Sequence, residues 1–197
     1  MNIRKTPARS KEPALIYELL VRLEGIEPRI WRRLWVPGTV TLAKLDRVIQ
    51  TTMGWTNSHL HEFSIAGKRY GMLMDEDWPD EDNPVLEDKR YKLGQVLGEV
   101  VRDFRYTYDF GDNWRHTVMV ERTMAADEIN TWPQCLAGHN ACPPEDVGGI
   151  GGYADFLEAV GDPAHEEYFA MRCWCGGPFD PFGFDINATN AALRKLR

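Results

Sequence analysis

The feature that most limits the fold is a change of hydrophobic period around Pro37. Before it, Tyr17, Leu19, Val21 and Leu23 alternate with Glu18, Leu20, Arg22 and Glu24, the pattern of a strand with one apolar face. After a turn at "EGIEP", Ile30, Arg32, Leu34 and Val36 alternate with Trp31, Arg33 and Trp35. The two segments predict an antiparallel pair. Beyond Pro37 the period becomes helical: Leu42, Leu45, Val48, Ile49 and Met53 form one stripe, with Thr41 as N-cap and Gly54 as the stop. A chain that opens with a strand pair and then turns to an amphipathic helix is neither all-α nor all-β.

The rest of the chain extends this pattern. "HLHEFSI" and "KRYGML" flank Ala66-Gly67 and predict a second hairpin. "DEDWPDEDNP" reads as an exposed acidic loop, and "YKLGQVL" as a short helix. "FRYTYDF" and "WRHTVMVER" predict a third strand pair around Gly111-Asp112-Asn113. "TWPQCLAGHNACPPEDVGGIGG" is expected to be a long irregular segment, of the kind that is functional or packed on itself. Three helices end the chain. One carries Tyr153, Phe156, Leu157 and Val160 and stops at Gly161; one opens at Asp162-Pro163; one is capped by Asp185 and ends on Arg194, Lys195 and Arg197. The fold class is therefore α+β: a single compact domain, with an antiparallel sheet built from hairpins and helices packed on one face. Residues 1–13 are expected to be a mobile tail, and 14–197 the domain.

Charge and composition remove several function classes. The 197 residues carry a formal charge of -7, which argues against non-specific binding to duplex DNA, because that affinity rests on Lys and Arg neutralising phosphates. No apolar run approaches the roughly 18 residues of a spanning helix, so no membrane association is expected. The basic, polar start lacks a secretory apolar core, and the expected location is the cytoplasm. Cys135, Cys142, Cys173 and Cys175 should then be reduced. Their C-x6-C and C-x-C spacings differ from the roughly two to four intervening residues of structural zinc pairs. There is no Walker A loop, no G-x-S-x-G elbow and no H-E-x-x-H helix. The acidic loop has Pro79 and Asp80 where an EF-hand needs a ligand and a glycine. "GIGGYA" follows two prolines rather than the central strand a dinucleotide site requires.

Two constellations could carry function. In "YDFGDNWRH" an even-numbered loop would place Asp109 opposite His116, Gly111 opposite Trp114 and Thr107 opposite Val118, whereas a three-residue loop would put Asp109 opposite Arg115 as an ordinary ion pair. A carboxylate against an imidazole fixes its tautomer and favours its charged form. His59 and His61, two residues apart, would share a strand face. His59, His61, Asp109 and His116 then form a candidate set for a divalent metal, zinc or manganese, with Glu145 or Asp146 as base. The plainer alternative is that Asp109 and Asp112 satisfy turn amides while His116 is half-buried. The second constellation is aromatic and basic: "RIWRRLW" interleaves Arg with Trp, as single-strand nucleic-acid surfaces do, or as a strand does whose tryptophans are core and whose arginines pair with the acidic excess. Trp31, Arg32, Trp55, Asp112 and Trp114 are the expected binding surface.

At these residues the sequence resembles a known family. "WRRLWVPGTVTLAKLDRVIQTTMGWTNSHLHEF", "YTYDFGDNWRHTVMVE" and "CLAGHNACPPEDVGGIGGYADFLEAV" are similar to the plasmid pRiA4b ORF-3-like family, some of whose members are labelled TnpR. The resemblance runs from about Leu15 to the C-terminus. It implies one α+β domain, a link to plasmid or mobile-element biology, and no established activity. Val147 stands where many members carry a cysteine, which weakens a cysteine-based metal site but not one built on His and carboxylate. Two readings follow. The first is a non-enzymatic binding or accessory module for a protein or nucleic-acid partner; the alternative is a metal-dependent hydrolase-type enzyme at the 108–116 hairpin.

Overall fold

Each strand pair forms at the turn the sequence marks. The computed structural model describes residues 15–73, 83–126 and 132–196; the expected tail and nearly all of the acidic loop lie outside them. β1 (Leu15–Leu23) pairs antiparallel with β2 (Trp31–Pro37), Leu19 facing Leu34. β3 (His61–Ile65) pairs with β4 (Lys68–Gly71) across Ala66-Gly67, both at positive φ (49° and 77°). That is the backbone of the tight two-residue turn that matches strand twist. β6 (Asp103–Tyr108) pairs with β7 (Trp114–Ala125). With β5 (Val85–Glu87) and β8 (Gln134–His139) they make one eight-stranded sheet in the order β5-β4-β3-β6-β7-β1-β2-β8, antiparallel except for β4–β5.

One sheet face is the core. Leu19, Val21, Leu34, Phe63, Tyr106 and Val118 are inaccessible on it. α1 (Leu42–Met53) lies against this core with its whole predicted stripe buried. Thr41 caps it by accepting a hydrogen bond from the Lys44 amide at 3.2 Å, and Gly54 ends it at φ 94°. Burying each large aliphatic of that stripe is worth about 1.5–3 kcal/mol. The opposite face is polar: Glu18 accepts from Trp35 Nε1 and from Arg122, and Arg33 pairs with Glu121.

Three expectations need correction. The segment after Trp132 is not irregular throughout, because it supplies the edge strand β8. Asn190 of α5 (Ile186–Lys195) covers that edge: its side chain accepts from the Cys135 amide at 2.9 Å and donates to the Cys135 carbonyl at 2.8 Å. A side-chain amide thus stands in for a neighbouring strand. The helix expected from Asp162-Pro163 starts later, as α4 (Tyr168–Trp174). Asp162 instead accepts from the Ala164 amide in a preceding turn. In the third hairpin His116 faces Tyr106 and Tyr108 faces Trp114, so Asp109 does not face His116. α2 (Leu93–Leu97) and α3 (Gly149–Gly161) complete the fold, and Asp185 caps α5 as expected. Among the described residues no helix is long and apolar enough to cross a membrane.

Candidate metal centre

The hairpin register changes because Asp109 leaves the strand. Its φ is 53°, and its Oδ1 accepts hydrogen bonds from the amides of Gly111 (2.9 Å) and Asp112 (3.3 Å). The Asn113 amide donates to its carbonyl at 2.6 Å. Asp is one of the few residues that tolerates this backbone, because its side chain bonds locally to the turn. The strands therefore stop at Tyr108 and Trp114. Tyr106, Tyr108, Trp114 and His116 all point into the core.

Three loops meet at this tip, and Trp55 joins them. It is buried just past α1, stacks on Tyr108 (5.0 Å between ring centroids) and Trp114 (6.2 Å), and meets His116 edge-on (5.5 Å). Its Nε1 donates to the Pro143 carbonyl at 2.9 Å. Beside it Glu145 clamps two loops: Oε1 accepts from Tyr108 Oη (2.6 Å) and the Thr56 amide (3.0 Å), and Oε2 accepts from Thr56 Oγ1 (2.5 Å). Burial pushes the Glu145 carboxyl up, but the bonds from Thr56 and Tyr108 outweigh it and hold the group below the usual range. Burial, with the Glu145 charge, raises the Tyr108 phenol well above its ordinary value. Asp112 Oδ2 accepts from the Gly148 amide at 3.2 Å and ties the hairpin tip to the start of α3.

On this platform His59, Asp109 and Asp146 converge. His59 Nε2 lies 2.9 Å from Asp146 Oδ1 and 3.7 Å from Asp109 Oδ2. One ligand atom from each residue falls within 4.8 Å of the other two. Asp109 is nearly buried, and its Oδ1 is held by the turn amides, leaving Oδ2 for the cluster. Asp146 is exposed, so a small rotation of its side chain adjusts the spacing. His59 Nε2 is sealed from solvent yet makes no well-aligned hydrogen bond among the described residues: the nearby Asp146 oxygen lies off the axis such a bond needs. Among the described residues, four of the six non-glycine residues at positive φ are in these loops, namely Asn57, Asp109, Asn113 and Asp146. Strained backbone of this kind gathers at functional sites.

The other expected residues lie elsewhere. His61 does not share a face with His59, which sits in the loop before β3 rather than on the strand. His61 is buried between two carboxylates, with Nε2 2.8 Å from Asp88 Oδ2 and Nδ1 3.3 Å from Asp46 Oδ1. Tyr106 Oη donates to Asp46 at 2.7 Å and in turn accepts from Gln50 Nε2 at 2.7 Å. His116 has no exposed surface. Its Nδ1 lies 3.3 Å from the Tyr106 carbonyl, its Nε2 has no partner among the described residues, and burial pushes its pKa down to about 4. It is a neutral core residue beneath the site. Glu145 has both oxygens engaged, so it is a strut and not a free base, whereas Asp146 joins the cluster itself.

The expected binding surface is mostly interior. Trp55 and Trp114 are buried, and Asp112 is a loop tie. Arg32 is 2% exposed and donates to the carbonyls of Thr52, Trp31, His139 and Asn140, with Phe184 4.1 Å from its guanidinium. Trp31 alone stays half-buried on the outer face, under Arg33. Cys135 and Cys142 are buried thiols pushed up to about 11 by burial, which keeps them protonated and poor ligands. Sequence reasoning missed Thr56 and Ser58, whose contacts with Glu145 and Tyr108 hold the His59 loop. They form the polar run after Trp55, but only the Glu145 contact gives them a role.

Comparison with known proteins agrees with this architecture. The family described as plasmid pRiA4b ORF-3-like protein matches residues 15–188. The uncharacterised protein y4hQ of Sinorhizobium fredii (strain NBRC 101917 / NGR234) is 40% identical over 185 residues, covering 93% of each chain. A crystal structure of a protein of unknown function, MM3350 from Methanosarcina mazei Go1, superposes with a TM-score of 0.79 at 36% identity, over 90% of this chain and 97% of that one.

Proposed function

The chain belongs to the plasmid pRiA4b ORF-3-like family, and we propose that it binds a divalent cation, zinc or manganese, through His59, Asp109 and Asp146. The observation that carries this reading is the convergence of three ligand atoms within 4.8 Å around an imidazole nitrogen with no aligned hydrogen bond. One nitrogen and two carboxylate oxygens suit zinc or manganese rather than a soft thiophilic ion. Three protein ligands, one of them exposed, leave a coordination position open, as catalytic centres do and closed structural sites do not. A cation held there would activate water or polarise a bound oxygen, the chemistry of a metal-dependent hydrolase. The surrounding residues position the ligands: Asp109 is aimed by the amides of its own turn, and Glu145 with Tyr108 and Thr56 fixes the loop of His59.

The test is metal analysis of protein purified without chelator, with thermal unfolding in added zinc or manganese. One ion per chain is expected. At a cation concentration a hundredfold above Kd, stability should rise by about 2.7 kcal/mol. His59→Gln and Asp109→Asn should abolish the gain, while His116→Phe should retain it. Absence of stoichiometric metal together with no stabilisation by either cation refutes the proposal.

A further inference from the structure

A groove opens beside the metal centre and shares Asp146 with it. It lies between α3 and α4 and holds about 300 Å³, the low end of ligand pockets and enough for one long side chain. Its wall is apolar, formed by Val147, Phe156, Met171 and Trp174. Phe156 is buried and meets the Trp174 ring at 5.9 Å and 66°, which fixes an indole that is itself 47% exposed. Its rim is anionic: Asp146, Asp155 and Glu167 are all exposed, and among the described residues no Lys or Arg lines the groove. Among the described residues the carboxylates of Asp155 and Glu167 make no hydrogen bond or ion pair. Gly152 is also in the wall, where a Cβ would come within 1.9 Å of the Val147 carbonyl oxygen.

We propose that this groove takes an arginine or lysine side chain of a polypeptide, so that the metal centre acts on a basic peptide segment. The inference rests on the metal reading for its meaning as a substrate site. An aliphatic stem fits the Met171 and Trp174 wall, and a cationic head satisfies the carboxylates of Asp155 and Glu167 and the face of the indole. The chain's charge of -7 draws such a partner in. A polypeptide, rather than a free amino acid, fits because a free α-carboxylate would find no cation there: the charged side chains lining the groove, Asp146, Asp155 and Glu167, are all acidic. The shared Asp146 sets the neighbouring backbone of the bound segment beside His59 and Asp109.

The experiment is fluorescence anisotropy of the full chain with a short labelled peptide, acetylated and amidated, carrying one central arginine. The same peptide with citrulline there is the neutral isostere. The arginine peptide should bind about tenfold more tightly than the citrulline one, the size expected of an exposed ion pair combined with a cation–π contact. Asp155→Asn with Glu167→Gln should remove that preference, and Glu158→Gln, exposed on the same helix outside the groove, should keep it. Equal affinity for the two peptides overturns the proposal. So does a double variant that keeps the preference while its circular dichroism matches the parent. Free arginine amide that competes as well as the arginine peptide overturns the polypeptide assignment. Because Asp155 and Glu167 are not metal ligands, zinc binding by the double variant separates the two ideas. Zinc bound without arginine preference sinks the groove alone; arginine preference in a chain that binds neither zinc nor manganese sinks the metal centre alone.

Discussion

Acidification from pH 7 to 4 should cost the fold about 3 kcal/mol through one side chain, His116. Burial holds its pKa at about 4 against an ordinary 6.5, outweighing the backbone contacts with Tyr106 and Trp114 that favour the proton. Above pH 6.5 the ring is neutral in both folded and unfolded chains and the linkage contributes nothing. Between 6.5 and 4 the unfolded chain takes up a proton that the folded chain refuses, so stability falls as pH falls. With one pKa unit worth about 1.4 kcal/mol, the loss is about 2 kcal/mol at pH 5 and about 3 kcal/mol at pH 4. Carboxylates titrate over the same range. Among them Asp46, raised by burial, acts in the opposite sense, favouring the fold as pH drops. A reference that shares all of these groups is therefore needed.

His116→Phe provides it. Phenylalanine keeps the ring against Trp55 and Tyr106, removes a buried nitrogen that has no partner among the described residues, and forfeits one long contact to the Tyr106 carbonyl. At pH 7 the variant should lie within about 1 kcal/mol of the parent. Urea unfolding followed by tryptophan fluorescence at pH 7, 6, 5 and 4 gives both stability curves. The parent should lose about 2 kcal/mol more than the variant by pH 5. Parallel curves would refute the reasoning, because they would mean that His116 takes up its proton in the folded state.

Two further substitutions test the frame around the site. Gly152→Ala should destabilise the protein by about 1–3 kcal/mol, because its Cβ would meet the Val147 carbonyl oxygen at 1.9 Å. Gly151→Ala, with nothing within 4 Å in the same helix, should instead stabilise by about 0.5–1 kcal/mol; urea midpoints measure both. Arg32→Met should cost about 3 kcal/mol or more, since it strands several buried carbonyls at once. A change below about 1 kcal/mol in the urea midpoint analysis would mean those carbonyls find other donors.

What was legible in the sequence follows the range of the forces involved. Period, caps and tight turns are local, so β1–β2, the Ala66-Gly67 hairpin, α1 with Thr41 and Gly54, and Asp185 on α5 appear where the residues place them. The register of the third hairpin was not legible, because alternation alone does not say where a strand stops. Asp109 decided it by turning to a positive φ and spending Oδ1 on its own loop amides. That one backbone choice sends His116 into the core and swings Asp109 Oδ2 toward the loop before β3. The edge strand β8 was hidden for a related reason: its partner is β2 on one side and the single side chain of Asn190 on the other, and neither is near it in sequence. Of the expected ligands, His59 and Asp109 come together while His61 is held by Asp46 and Asp88. Two histidines two residues apart differ in role because one precedes the strand and the other begins it. The same reasoning explains Asp146. Its neighbour Glu145 is drawn inward by Thr56 and Tyr108, and a left-handed residue immediately after that anchor turns its own carboxylate outward, toward His59.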